Sequence, residues 1–294
     1  MRIAQKTLFD NITRDLSRTS TEMFSANQTV SSGKRIEKLS DDPVGLVSVL
    51  DLNSSLANIS QLERNINTGR SWLNMAEASL SQVEDLVSQT KALCVDMASA
   101  TRGAVERENA STLVEGYLQQ IVSLANTQIS GRYIFSGTCT DTAPFVYEET
   151  AIPPNVTYQG NDSPFSVKIG KNLNVAVGQN GEAIFGDIFD TFLDLKTALQ
   201  ANDISSIQGA MDKLDTHLDT LGTAISNTGA KSIQLDARET IIQDLNLTYT
   251  ERKSKLEDVD LAEAILKLKS RETAYQAALS SSSKVMTMSL LDYL

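Results

Sequence analysis

A seven-residue repeat in the first third of the chain limits the fold more than any other feature. Leu52, Ile59, Ile66, Leu73, Leu80, Val87 and Cys94 are apolar without exception, while the companion positions Ser55, Leu62, Gly69, Ala76, Val83, Thr90 and Met97 are mixed. A repeat sustained over that length specifies a long helix with a coiled-coil-like seam. The small companions Ser55, Gly69 and Ala76 are expected to let a neighbouring helix approach closely. A second helical pattern over about 105–129 carries Leu113, Tyr117, Ile121 and Leu124 and is expected to fold back after Arg102-Gly103. Beyond Asp187 the chain reads as helical again, with breaks expected near Asn202-Asp203 and Asn227-Thr228-Gly229.

Composition changes between these helical halves. Residues 131–186 hold seven of the fifteen glycines and four of the five prolines. Within them 165–169 and 173–177 alternate as strands do, with 178–181 as a turn. The expected fold is therefore mainly α, a long coiled-coil-like helical rod formed by N- and C-terminal segments with a small inserted β-rich domain. Three domains are expected: 1–40 with 260–294 as a terminal-helix core, 41–130 with 187–259 as the helical rod, and 131–186 as an outer β-rich domain.

The two ends are matched amphipathic helices. Leu261, Ile265, Leu268, Tyr275, Leu279, Met286 and Leu290 follow helical spacings, and Leu8, Ile12, Leu16, Thr19, Met23 and Val30 answer them from the N-terminal side. Each helix is set off by a joint. In SSGKRIEKLSDDPVG (31–45), Gly33 suits a left-handed helix end, with Lys34, Arg35 and Lys38 near the negative pole of the dipole. After Asp41, Asp42 suits an N-cap and Pro43 a first helical turn. At the second joint, following Asp258, Asp260 with Glu263 three residues on forms a capping-box pattern. Isolated amphipathic helices are marginal in water. The ends thus need packing on more than one side, and assembly between subunits would supply it; an intramolecular bundle satisfies the same periodicity.

Chemistry finds little support. The Gly-Lys of the first joint has Gln28 where a phosphate loop needs glycine and Arg35 where it needs Ser or Thr. Asp41-Asp42 lacks the alternating oxygen ligands of a calcium loop, and capping explains Asp258 and Asp260 better than a metal does. The single histidine, His217, stands among Lys213, Asp215 and Asp219 and is expected on a solvated face. Cys94 and Cys139 make no disulfide framework or zinc site, and Cys94 reads as a small core residue. No nucleophile, base or metal set converges, so neither enzyme activity nor a cofactor is expected. A net charge of −11 disfavours nucleic acid. No apolar run is long enough for membrane insertion, and the first eighteen residues lack the core of a cleaved signal peptide.

Three segments carry a family resemblance: SSGKRIEKLSDDPVG, then NTQISGRYIFSGTCTDTAPF (126–145), then EDVDLAEAILKLKSRETAYQAALSSSSKVMTMSLLDYL (257–294). In content and order they resemble the flagellar hook-filament junction family, the hook-associated protein 3 relatives of flagellin. The resemblance implies a structural component of the bacterial flagellum, serving motility and extracellular. It would reach that place unfolded through the flagellar type III route, held beforehand by an export chaperone. Its implied partners are other copies in a ring-like helical layer, a hook-side hook-associated protein, and flagellin. Flagellin itself is the near alternative. Pro43, where flagellins usually carry alanine, the GRYIFSG segment, and the ending SLLDYL without the arginine usual in flagellins favour the junction family; Gly45 fits flagellin better. A soluble coiled-coil scaffold with intramolecularly paired ends is the alternative of another class.

Overall fold

The computed structural model describes residues 2–99, 101–148 and 154–291, with side chains from residue 6 to residue 284 apart from Leu8. The helices are α1 (Arg2–Ser32), α2 (Pro43–Met97), α3 (Ala104–Ala125), α4 (Gly181–Gln200), α5 (Ile204–Glu257) and α6 (Leu261–Leu291). Between α3 and α4 lie strands β1 (Gln128–Ile129), β2 (Arg132–Tyr133), β3 (Phe145–Glu148), β4 (Asn155–Tyr158), β5 (Ser166–Lys168) and β6 (Asn174–Ala176). The chain is mainly α-helical with a small β insertion. Its contacts define two units, Met1–Asn58 with Leu245–Leu294, and Ile59–Asp244.

In the Ile59–Asp244 unit the repeat of α2 forms the core. Ile59, Ile66, Leu73, Leu80, Val87 and Cys94 are buried, together with Ala76, Val83, Thr90 and Met97. Removal of that apolar surface from water holds the helix in place where propensity alone does not. Burial also pushes the Cys94 thiol up to about 11, as expected of an inert core residue. Cross-contacts fix the directions of the neighbouring helices. Arg107 reaches Met97, Tyr117 reaches Gln89 and Ser79 meets Thr127, so α3 runs antiparallel to α2. Arg70 pairs with Asp236 and Glu239, and Lys91 with Asp215, so α5 is antiparallel to α2 as well. Through Lys196–Glu115 and Lys213–Asp194, α4 joins α3 and α5.

The structure departs from the sequence pattern on the face of α3, at His217 and within α5. The buried face of α3 is Arg107, Ala110, Ser111, Val114, Leu118, Ile121 and Ala125, and Leu113 is 45% exposed. Small Ala110 and Ser111 admit the neighbouring helices closely, a signal that counting large residues misses. His217 is buried and its Nε2 lies 2.8 Å from Thr191 Oγ1, because Ile207, Ala210, Leu214, His217, Leu221, Ala224 and Thr228 form the buried stripe of α5. For the same reason α5 does not break at 227–229: Thr228 is buried and its hydroxyl donates to Ala224 O.

The insertion consists of antiparallel hairpins β1–β2, β3–β4 and β5–β6. The β5–β6 register, Ser166↔Ala176 through Lys168↔Asn174, falls in the segments that the alternation marks. A Cβ on Gly69 would lie 3.0 Å from Val167 and 3.1 Å from Leu235, so this glycine lets both the hairpin and α5 close on α2. Strand pairing starts at Gln128, ahead of Gly131, and α4 starts at Gly181, ahead of Asp187, where Asn180 accepts from Glu182 N. Phe135 of the GRYIFSG segment meets Phe185 of α4 edge-on, and Phe145 meets Phe185, Phe189 and Tyr158. Such aromatic contacts add to burial in fixing the insertion on α4.

Candidate assembly face of the terminal helices

In the other unit α1 packs on α6. The covered positions of α1 include Ile12, Leu16, Thr19, Met23, Ala26 and Val30, and those of α6 include Ala264, Leu268, Arg271, Tyr275, Ala278 and Ser282. Both sets advance by alternate steps of four and three, the spacing of a coiled-coil seam. Arg271 donates to Glu22 at 2.7 Å, and with Ala26 and Ala264 lining the same cleft this makes the pair antiparallel. On this seam Ala26 and Ala264 are buried, and the other described positions, Ala278 and Ser282 included, are half-buried. A groove of about 730 Å3 stays open along it, with Arg18 and Lys267 on its walls.

The apolar face expected on α6 is therefore split. Leu268 and Tyr275 join the seam, but Leu261 (52%), Ile265 (53%) and Leu279 (41%) are exposed, Ile265 and Leu279 each one residue past a seam position, Ala264 and Ala278. Ile12, Leu16, Met23 and Val30 are all partly covered. The side chains of Leu8, Met286 and Leu290 lie outside the described residues. Reading large residues alone missed the Ala264, Ala278 and Ser282 stripe, whose heptad spacing is visible in the sequence. It also missed exposed Phe9, Phe24 and Leu266. Each helix thus spends small or half-covered residues on its partner and leaves bulky apolar ones uncovered.

The two joints meet. Gly33 takes φ +70°, and its N–H donates to Thr29 O, closing α1. The chain then pairs with the end of α5: Arg35 N donates to Glu257 O at 2.6 Å and Val259 N to Gly33 O at 3.0 Å. Lys34 Nζ lies 2.7 Å from the buried Glu257 carboxylate, whose hydrogen bond and charge raise the lysine pKa. Arg35 also donates to Leu256 O, covering the carbonyl end of α5. Asp41 accepts from Lys38 N and Glu37 N, which holds its carboxyl below the ordinary range. Asp42 accepts from Gly45 N at the start of α2, where Pro43 is the first helical residue.

On the other strand, Asp258 accepts from Ser254, and Asp260 caps α6 by accepting from Ala262 N at 2.8 Å and Glu263 N. Asp41, Asp42, Glu257, Asp258 and Asp260 are thus occupied by backbone, hydroxyl or cation, and Glu37 accepts from the Gln28 amide. A Cβ on Gly45 would fall 2.5 Å from Asp42 Oδ2 and 2.6 Å from Ile36, so glycine is what this cap and the buried Ile36 admit. Among the described residues no cluster of His, Cys, Asp and Glu is arranged to hold a metal, and no helix is long and apolar enough to cross a membrane. The geometry ties four helix ends into one node and leaves apolar residues exposed on α1 and α6.

The chain belongs to the flagellin family: the bacterial flagellin N-terminal helical region matches residues 3–140 and the C-terminal helical region matches residues 207–294. Within it, the chain is similar to flagellar hook-associated protein 3 of Escherichia coli, 25% identical over 99% of this chain and 98% of that one. A flagellin of Halalkalibacterium halodurans is 23% identical over 86% of this chain and 84% of its own. The fold is shared with the crystal structure of a flagellar hook associated protein-3 from Legionella pneumophila, at a TM-score of 0.64 and 15% identity, covering 70% of this chain and 98% of that one.

Proposed function

We propose that the protein is the structural adaptor that joins hook to filament in the bacterial flagellum, meeting another hook-associated protein on one side and flagellin on the other. The end-to-end match to hook-associated protein 3 carries this reading, since the similarity to flagellin spans less of both chains. Pro43 and the GRYIFSG segment support the same choice. The protein works outside the cell, reaches it by the flagellar export route with a chaperone, and performs no catalysis.

Assembly proceeds through the terminal helices. Residues 1–40 with 260–294 form the core of the layer, 41–130 with 187–259 its helical rod, and 131–186 the outer domain. Leu261, Ile265 and Leu279, with the partly covered Ile12, Leu16, Met23, Val30, Leu268 and Tyr275 and with Leu8, Met286 and Leu290, are covered by neighbouring subunits. Gly33, Asp41, Asp42, Pro43, Asp258 and Asp260 fix the joint between core and rod. What supports this is exposed apolar surface on both helices of a pair whose own seam leaves most of its described residues half-buried. Electron microscopy of a deletion strain tests it. Hooks without filaments, with unpolymerised flagellin in the medium, are the expected result; filaments still attached to the hooks would overturn it.

A further inference from the structure

Where α2 passes the β1–β2 hairpin, the Ile59–Asp244 unit holds a cleft of about 430 Å3. Trp72, Phe165 and Ile129 supply its apolar lining, and Asn67, Ser71 and Arg132 belong to its polar rim. Trp72 is 3% exposed, its ring is 4.9 Å from that of Phe165, and its Nε1–H meets no acceptor among the described residues. Apolar contact alone holds the indole. The hairpin turns through Ser130 (φ 51°) and Gly131 (φ 78°), the two-residue geometry that matches strand twist, which fixes Arg132 at the rim. Arg132 is exposed and has no ion pair among the described residues, and no carboxylate lines the cleft although the chain carries a net charge of −11.

The complement to such a cleft is a carboxylate next to a bulky apolar side chain. The first turn of α3 offers one: Val105 is 68% exposed, and the adjacent Glu106 is exposed and without an ion pair among the described residues. The hairpin follows the opposite end of α3. Twenty-two helical residues separate the two features by about 33 Å, so they cannot meet within one copy.

We propose that the cleft seats the Val105-Glu106 corner of a second copy, with Glu106 on Arg132 and Val105 over the Trp72–Phe165 floor. Unlike surfaces then meet head to tail, a heterologous contact that closes into a ring or continues as a helix. The inference rests on the assembly reading and adds a contact remote from the terminal helices.

Charge exchange tests it. R132E and E106R should each lower the copies retained in isolated flagella roughly tenfold, the cost of opposing like charges at a contact. The double variant R132E/E106R should restore retention, and circular dichroism should show all three folded. Retention of both single variants at the wild-type level, or a double variant as defective as the singles, would overturn the pairing. A second readout does not depend on the adaptor role: concentrated purified protein carrying E106C and R132C, with C139S, should be linked copy to copy by a short bis-maleimide, which adds to both thiols and spans the gap left by the Arg and Glu side chains, wider than the about 4 Å between Cβ atoms that a disulfide needs. Its failure to link would count against the contact even if hook attachment is normal.

Discussion

His217 occupies a seam position of α5 that an apolar side chain would ordinarily take, and its Nε2 lies at the Thr191 hydroxyl. Burial lowers its pKa below the ordinary 6.5; the charge of Asp187 opposes that shift and the charge of Lys213 adds to it. The neutral ring therefore belongs to the fold, while the unfolded chain takes up the proton first. Its contribution to stability is complete above about pH 6.5 and is lost as pH falls toward the depressed folded value. Thermal melting at pH 7.5 and pH 5 should show a drop for the wild type that is smaller for His217→Asn. The sequence hid this burial because exposed Lys213, Asp215 and Asp219 flank the histidine, while the buried stripe of α5 runs through His217 itself. Gly69 was legible as a small position, yet not what fills it: residues far along the chain, Val167 and Leu235, do so. Gly69→Leu should cost about 2 kcal/mol in chemical denaturation, as overpacking of a closed contact does.

At the scale of elements, long periodic stretches were the readable part. The α2 repeat, the β5–β6 alternation and the caps at Asp42 and Asp260 follow from local rules, since each depends on neighbours a few residues away. Helix faces followed less well where small residues make the contact, as on α3 and α6. The return of the second joint onto the first was not readable at all, because ladder bonds between 33–35 and 257–259 join segments with no shared pattern. A similar long-range device closes the other end of α2. Arg107, 3% exposed, donates to Met97 O at 2.9 Å, to Ser99 O and to Asn202 Oδ1, which holds the end of α2 and the α4–α5 turn together. Arg107→Met keeps much of the volume but leaves these acceptors unpaired. Its expected cost is roughly 3 kcal/mol in urea unfolding.

For the whole molecule, what matters is surface left unused. Leu279 is exposed and makes no part of the α1–α6 seam, so Leu279→Asp should leave the melting of the purified chain within about 0.5 kcal/mol of wild type, as surface changes do. The same variant should be lost from assembled flagella, as counted by immunolabelling. Leu268→Asp differs because Leu268 lies on the seam, and it should weaken both. A filament population unchanged by either substitution would remove the terminal helices from the mechanism.

Completion of α1 and α6 by neighbouring subunits would be read in the exchange of their backbone amides. In dilute monomer, residues 9–31 and 261–284 should exchange far faster than the buried stretches of α2 and α5, because few of their side chains are fully covered. In isolated flagella the same peptides should become slow. Protection of both helices in the monomer as strong as that of α2 would contradict the account.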